Sequence, residues 1–308
     1  MELFLGYETS DALLEKLSRT GFEGVWRTYE CPAGGKVDWE AVHLIGQALG
    51  KQTVDLVVPG SVHRARSQFA TYRVWGGRFP REPYITDGSG IMVASPEFTL
   101  MLAASELSDL QLAQMVMRYL GLYTPNKMSV DGFDKRMPLT SVDRVEAMLA
   151  QVGGAQGVDK LRRALRRSIE CSRSPMETNL ALVLTLPKTS NGYGLPKPEM
   201  NKFIPLEGLA REIVGKPYCY GDLVWGDCVT EFQGRRHNDT IGDDLTRALA
   251  LELMGYKVHF VAFEQFADSR QLDVVARRIA RDIHHRIHEE CWPQPEAIQE
   301  VVDLLLMN

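Results

Sequence analysis

The stretch GDLVWGDCVTEFQGRRHND, residues 221 to 239, plants one acid in each of two short apolar runs, Asp222 and Glu231. Acids are disfavoured inside strands, so a pair of them in a sheet hairpin points to chemistry. Adjacent antiparallel strands lie about 4.8 Å apart, which lets both carboxylates converge on one point. Two carboxylates at one site repel unless something positive sits between them. A divalent cation meets that need, and ligands that are all oxygen favour Mg²⁺ or Mn²⁺. A third acid, Glu177, falls in the first turn of a helix that opens at Ser174. Two residues after the second acid stands Gln233, followed by Gly234, Arg235, Arg236 and His237. The plainer readings are outward-facing strand acids for Asp222 and Glu231, a favourable helix-dipole contact for Glu177, a solvated loop for His237, and a surface pair for Asp244 and Arg247 at i, i+3.

Several elements must position these side chains. From residue 174 the pattern reads as a capped helix (SPMETNLALVLTLP) and a Gly/Pro loop. Three strands follow (MNKFIPL, YCYGDLVW, CVTEFQ), then a helix stopped by Gly (DDLTRALALELMG), a strand (KVHFVAF) and a long closing helix (DVVARRIARDIHHRIHEE). Upstream, helices are expected at 10–19 and 38–49, and strands at 53–58, 69–75 and 91–94. Ser95-Pro96-Glu97 starts a further helix, and another begins at Ser108. A polar connection spans 124–138, and helices over 141–150 and 157–170 follow. The second of these carries Arg162, Arg163, Arg166 and Arg167, either a phosphate-contacting face or a solvated basic one. His284, His288 and Cys291 fall at i, i+4 and i+7 in the closing helix. That spacing suits zinc, but an amphipathic helix explains the same residues without metal.

The order of a helix with Glu, a strand with Asp, and a strand with Glu-x-Lys followed by a helix is the plan of the PD-(D/E)XK nuclease superfamily, which this half resembles. EFQGRRHNDTIGDDLTRALALELMGYKVHFVAF is similar to a bacterial domain family related to very-short-patch repair endonucleases, matching at Glu231, Gly234, His237, Asp244, Arg247 and Gly255. SPMET and GYGLPKPEMN resemble it as well, and the likeness covers about 174 to 285. The N-terminal part, through VDLVVP, HRARS and the helix start at Ser95, is similar to a domain of abortive-infection, type IV antitoxin-like proteins. The resemblance implies an α/β chain with two domains. These are an α+β antitoxin-like or recognition domain over 1–150, and a restriction-endonuclease-like core over 151–308 whose mixed central sheet is flanked by helices.

It further implies Mg²⁺-dependent (or Mn²⁺-dependent) hydrolysis of DNA phosphodiesters in bacterial defence or repair. Asp222 and Glu231 would hold the metal, and Glu177 and Gln233 complete the catalytic set. Arg235, Arg236, His237 and Arg247 would contact DNA, and the N-terminal domain would engage a protein partner. The departure is Gln233, which stands where the superfamily has lysine. Its amide orients water and donates to a phosphate oxygen but brings no positive charge. Either the neighbouring Arg235, Arg236 or His237 supplies that charge, or the fold is a decayed nuclease acting as an antitoxin-like regulator or binding protein.

Composition sets the outer bounds. The 308 residues suit two domains, and the apolar fraction of 44% is that of a globular protein. A net charge of −5 excludes gross polycationic binding but leaves room for a local basic groove. The five cysteines are scattered without a CxxC pair, which supports neither a zinc ribbon nor a disulfide framework. The start MELFLGYETSD lacks the charge and apolar run of a signal peptide, and no apolar run reaches membrane-spanning length. The expected compartment is the cytoplasm, with no membrane partner.

Overall fold

The computed structural model describes residues 3–20, 27–29, 38–58, 67–88, 90–234, 241–287 and 292–307. The chain is an α/β protein with mixed sheets flanked by helices. It divides into two compact units, 1–120 with 134–166, and 121–133 with 167–308.

The first unit begins with β1 (Leu3–Phe4), α1 (Tyr7–Thr20), β2 (Arg27–Tyr29), α2 (Trp39–Leu49), β3 (Val54–Val58) and β4 (Ala70–Val74). It continues with β5 (Tyr84–Thr86), β6 (Ile91–Ala94), α3 (Pro96–Ala103) and α4 (Asp109–Leu120). One sheet has the order β1-β6-β5-β2, with β1 parallel to β6 and the other pairs antiparallel; β3 and β4 form a separate parallel pair. Ser95 caps α3 by accepting from the Phe98 N–H, and every residue of that helix is buried. The connection expected over 124–138 contains two short paired strands, β7 (Tyr123–Pro125) and β8 (Phe133–Lys135).

Neither unit is continuous in sequence: 134–166 belongs to the first and 121–133 to the second. After α5 (Val142–Gln151), helix α6 (Val158–Arg167) packs with the first unit. Its Lys160 ammonium donates to the Leu107 carbonyl, and Arg163 pairs with Asp109 at 3.3 Å. Leu161, Ala164 and Leu165 are buried, while Arg162 pairs with Asp159 on the exposed face. Conversely, 121–133 joins the second unit, where the Leu122 N–H donates to the Ser172 carbonyl and the Tyr123 hydroxyl meets Thr178.

The second unit is built from α7 (Pro175–Thr185), β9 (Glu199–Pro205), α8 (Gly208–Val214), β10 (Tyr218–Trp225) and β11 (Cys228–Gln233). Then come α9 (Ile241–Leu253), β12 (Lys257–Ala262), α10 (Phe263–Ala267), α11 (Ser269–Asp282) and α12 (Pro295–Met307). The sheet order is β12-β11-β10-β9: an antiparallel meander of β9, β10 and β11, with β12 returning parallel to β11 after α9. A parallel return requires a crossover, and α9 is that crossover, stopped by Gly255 at φ 89°. Ile204, Leu206, Cys219, Val224, Val229 and Leu251 form one buried cluster between the sheet and α9, and α8 packs beside α9. Helices α7, α12 and α11 pack in series as a second layer that reaches β10, β11 and β12.

The long helix expected over 273–290 stops at Asp282, and His284 takes a left-handed φ of 55°. His284 therefore leaves the helical face expected to carry it with His288 and Cys291; those two residues lie outside the described ones. No helix among the described residues is long and apolar enough to cross a membrane.

Candidate functional site

The β10–β11 hairpin opens into a fork. Its ladder runs only from Trp225 opposite Cys228 to Leu223 opposite Thr230. Beyond that point residues 218–221 stay paired with β9, while residues 231–233 stay paired with β12. Asp222 and Glu231 are the first residue past the ladder on each strand. The Asp222 carboxylate takes the place of the next ladder bond, accepting from the Phe232 N–H at 2.9 Å. The strands splay where the acids sit, which gives both carboxylates room that a regular ladder would deny.

Glu177 reaches the fork from α7. Ser174 caps that helix, its Oγ accepting from the Glu177 N–H at 3.1 Å. The Glu177 carboxylate folds back to accept from the Arg173 N–H at 2.8 Å and from Asn201 Nδ2 at 2.6 Å. Asn201 is the residue of β9 that would face Asp222, and the ladder skips that pair. It adopts φ 50°, a left-handed conformation that Asn tolerates better than most residues. The same Nδ2 also donates to the Cys171 carbonyl at 2.9 Å.

The electrostatics follow from this crowding. Burial and then the Asp222 charge push the Glu177 carboxyl up to about 7. Burial and Asp222 likewise push Glu231 up to about 8, against the pull of Arg247. Burial also raises Asp222, opposed by its bond from the Phe232 N–H and by Arg247 and Arg173. Glu231 is only 4% exposed, and its Oε1 is buried without a hydrogen-bond partner among the described residues. Its Oε2 accepts from Arg247 at 2.8 Å, and the same guanidinium nitrogen reaches Asp244 at 3.2 Å. Arg247, expected on DNA, is thus engaged inside the acid cluster. Gln233 follows Glu231 by two residues, on the same side of β11 by strand alternation, and is half-buried. Arg235, Arg236 and His237 lie outside the described residues.

The donor set fits a hard divalent cation held by few protein ligands. Among the described residues no group of three or more His, Cys, Asp or Glu side chains forms a ready-made cage. Mg²⁺ keeps several waters and is often held by one or two carboxylates, and Asp222 with Glu231 supplies such a pair. Among the described residues nothing donates to the buried Glu231 Oε1.

Glu177, Asp222 and Glu231 are brought together, with Asp244 and Arg247 against them. Sequence reasoning missed Asn201 and Arg173, which hold Glu177 in place. Asn201 lies inside MNKFIPL, where a polar residue in an apolar run was the available signal. Comparison of this chain with family models, with curated proteins and with solved structures returns no significant match.

Proposed function

We propose that the second unit is a metal-dependent hydrolase of DNA phosphodiesters, an endonuclease of bacterial defence or repair working in the cytoplasm. The observation that carries this reading is the fork. Three carboxylates with raised proton affinity meet where two strands part, and one oxygen has no partner among the described residues. A protein gains no stability from such crowding unless something else completes it. Asp222 and Glu231 would hold Mg²⁺ or Mn²⁺, which when bound supplies Lewis acidity and a water of lowered pKa. Glu177, fixed by Asn201 and the Arg173 N–H, sets the charge behind Asp222. The Gln233 amide orients the attacking water and donates to a phosphate oxygen. Arg247 balances Glu231 and Asp244.

Two observations favour a second reading. Arg247 already neutralises Glu231, and Gln233 lacks the charge of a lysine. In that reading the fold has lost catalysis and serves as an antitoxin-like regulator or partner-binding protein. Cleavage of plasmid and oligonucleotide DNA with Mg²⁺ and Mn²⁺ separates the two. The nuclease reading expects cleavage by the wild type that falls at least ~100-fold in Asp222→Ala and in Glu231→Ala. Cleavage that survives both substitutions, or is absent across metals and salt concentrations, contradicts it.

A further inference from the structure

Next to the fork, the face of β9 and β10 opposite the Ile204–Leu251 cluster carries three aromatic rings in mutual contact. The Phe203 centroid lies 5.0 Å from that of Tyr218 and 5.9 Å from that of Tyr220, and the two tyrosines are 5.7 Å apart. Phe203 is 53% exposed and Tyr218 42%. The rings pack on one another and leave Phe203 and Tyr218 open to solvent. The neighbouring residues Ile204 and Cys219 point the other way into the core, so strand alternation fixes the ring face outward. Contiguous exposed apolar groups of this kind mark a binding surface.

The rings come with positive charge. The Arg173 guanidinium lies 3.9 Å over the Tyr220 ring and has no salt-bridge partner among the described residues. Lys216 is exposed two residues before Tyr218. The patch is also continuous with the acid site. Arg173 donates its backbone N–H to Glu177, and Asp222 follows Tyr220 by two residues, about 7 Å along the strand.

We propose that Phe203, Tyr218 and Tyr220 are a stacking platform for unpaired bases, with Arg173 and Lys216 taking phosphates, so that the fork acts on single-stranded or locally unpaired DNA. This rests on the DNA-cleaving reading of Asp222 and Glu231. Open rings on a sheet engage the π-faces of bases, which are hidden in a duplex. The Arg173 guanidinium over the Tyr220 ring matches phosphate better than it matches an apolar protein surface.

Fluorescence anisotropy of a labelled mixed-sequence oligonucleotide, with EDTA present to prevent cleavage, tests the platform separately from the chemistry. The wild type should bind single-stranded DNA at least ~10-fold tighter than a duplex of the same length. Phe203→Ala and Tyr218→Ala should each weaken binding ~5-fold or more, and Tyr218→Phe should restore it. Arg173→Ala should lower the slope of log affinity against log salt by about 0.7. Thermal melts confirm that these surface variants fold. Preference for duplex, wild-type affinity in both alanine variants, or no binding by the wild type overturns the proposal. So does sedimentation showing that the ring variants instead break a self-association. Single-strand binding without any metal-dependent cleavage would leave the platform standing and remove the nuclease reading. Cleavage unaffected by loss of the rings would do the reverse.

Discussion

Asp55 in the first unit and Asp222 in the second are both acids set inside apolar strands, and their surroundings are opposite. Asp55 is 3% exposed, yet it is fully supplied with donors. Its Oδ1 accepts from the Thr9 N–H at 2.7 Å and from the Thr9 hydroxyl, and its Oδ2 accepts from the Glu8 N–H at 3.2 Å. Arg73 stands 3.5 Å from Oδ2. From β3 it caps the first turn of α1, a helix 46 residues away in sequence. Asp222 receives one backbone donor and faces two further acids. The difference teaches that burial alone does not say whether the fold accounts for an acid; the count of donors does.

The comparison breaks most visibly through stability. Asp55→Ala strands the Glu8 and Thr9 donors and leaves Arg73 short of a partner, at an expected cost of about 3 kcal/mol. That lowers Tm by roughly 6–12 °C in a unit of this size. Asp222→Ala gives up one backbone bond but relieves Glu177 and Glu231 of a like charge, and is expected to lower Tm by much less than Asp55→Ala. Differential scanning calorimetry of both variants checks the contrast. A second probe of the cap is Gly6. A Cβ there would sit 2.0 Å from Asp55 Oδ2, so Gly6→Ala should cost about 2 kcal/mol, measured the same way.

Much of the fork was legible in the sequence. The apolar runs around Asp222 and Glu231 fix two strands, and Ser174-Pro175 with Glu177 fixes the start of α7. Gly255 ends α9 where the sequence places its stop. The splay itself was not legible. It depends on Asp222 replacing a ladder bond and on the left-handed Asn201, neither of which has a periodic signature. The end of α11 at Asp282 and the membership of 121–133 in the second unit were also hidden, because each is decided by tertiary contacts rather than by local propensity. Asp55 shows the same limit from the other side. VDLVV reads as a buried strand, and nothing in it names Glu8 and Thr9 as the partners of its acid.

Two smaller effects sharpen the chemical side of the comparison. Restoring a cation with Gln233→Lys should raise metal-dependent cleavage about tenfold, since charge stabilisation at phosphate is what Gln lacks; an unchanged rate in a plasmid assay would show that Gln233 does not face the reacting phosphate. The second effect is pH-dependent. Glu177 and Glu231 are raised from 4.5 to about 7 and about 8. Between those limits the folded chain keeps protons that the unfolded chain has released. Their contribution to stability is full below about pH 4.5 and is lost as pH rises through 7 and 8. Without added metal, chemical denaturation should show stability falling by an order of 1 kcal/mol between about pH 5.5 and pH 8. Glu231→Gln should flatten that slope. An equally steep slope in the variant would place its origin elsewhere.

The central claim is that the under-supplied acids of the fork are a divalent cation site. Mn²⁺ binding followed by electron paramagnetic resonance tests it without any substrate. The account expects one Mn²⁺ bound per chain in the wild type, displaced by excess Mg²⁺ and lost in Asp222→Ala. No bound Mn²⁺ in the wild type, or the same binding in Asp222→Ala, would contradict it.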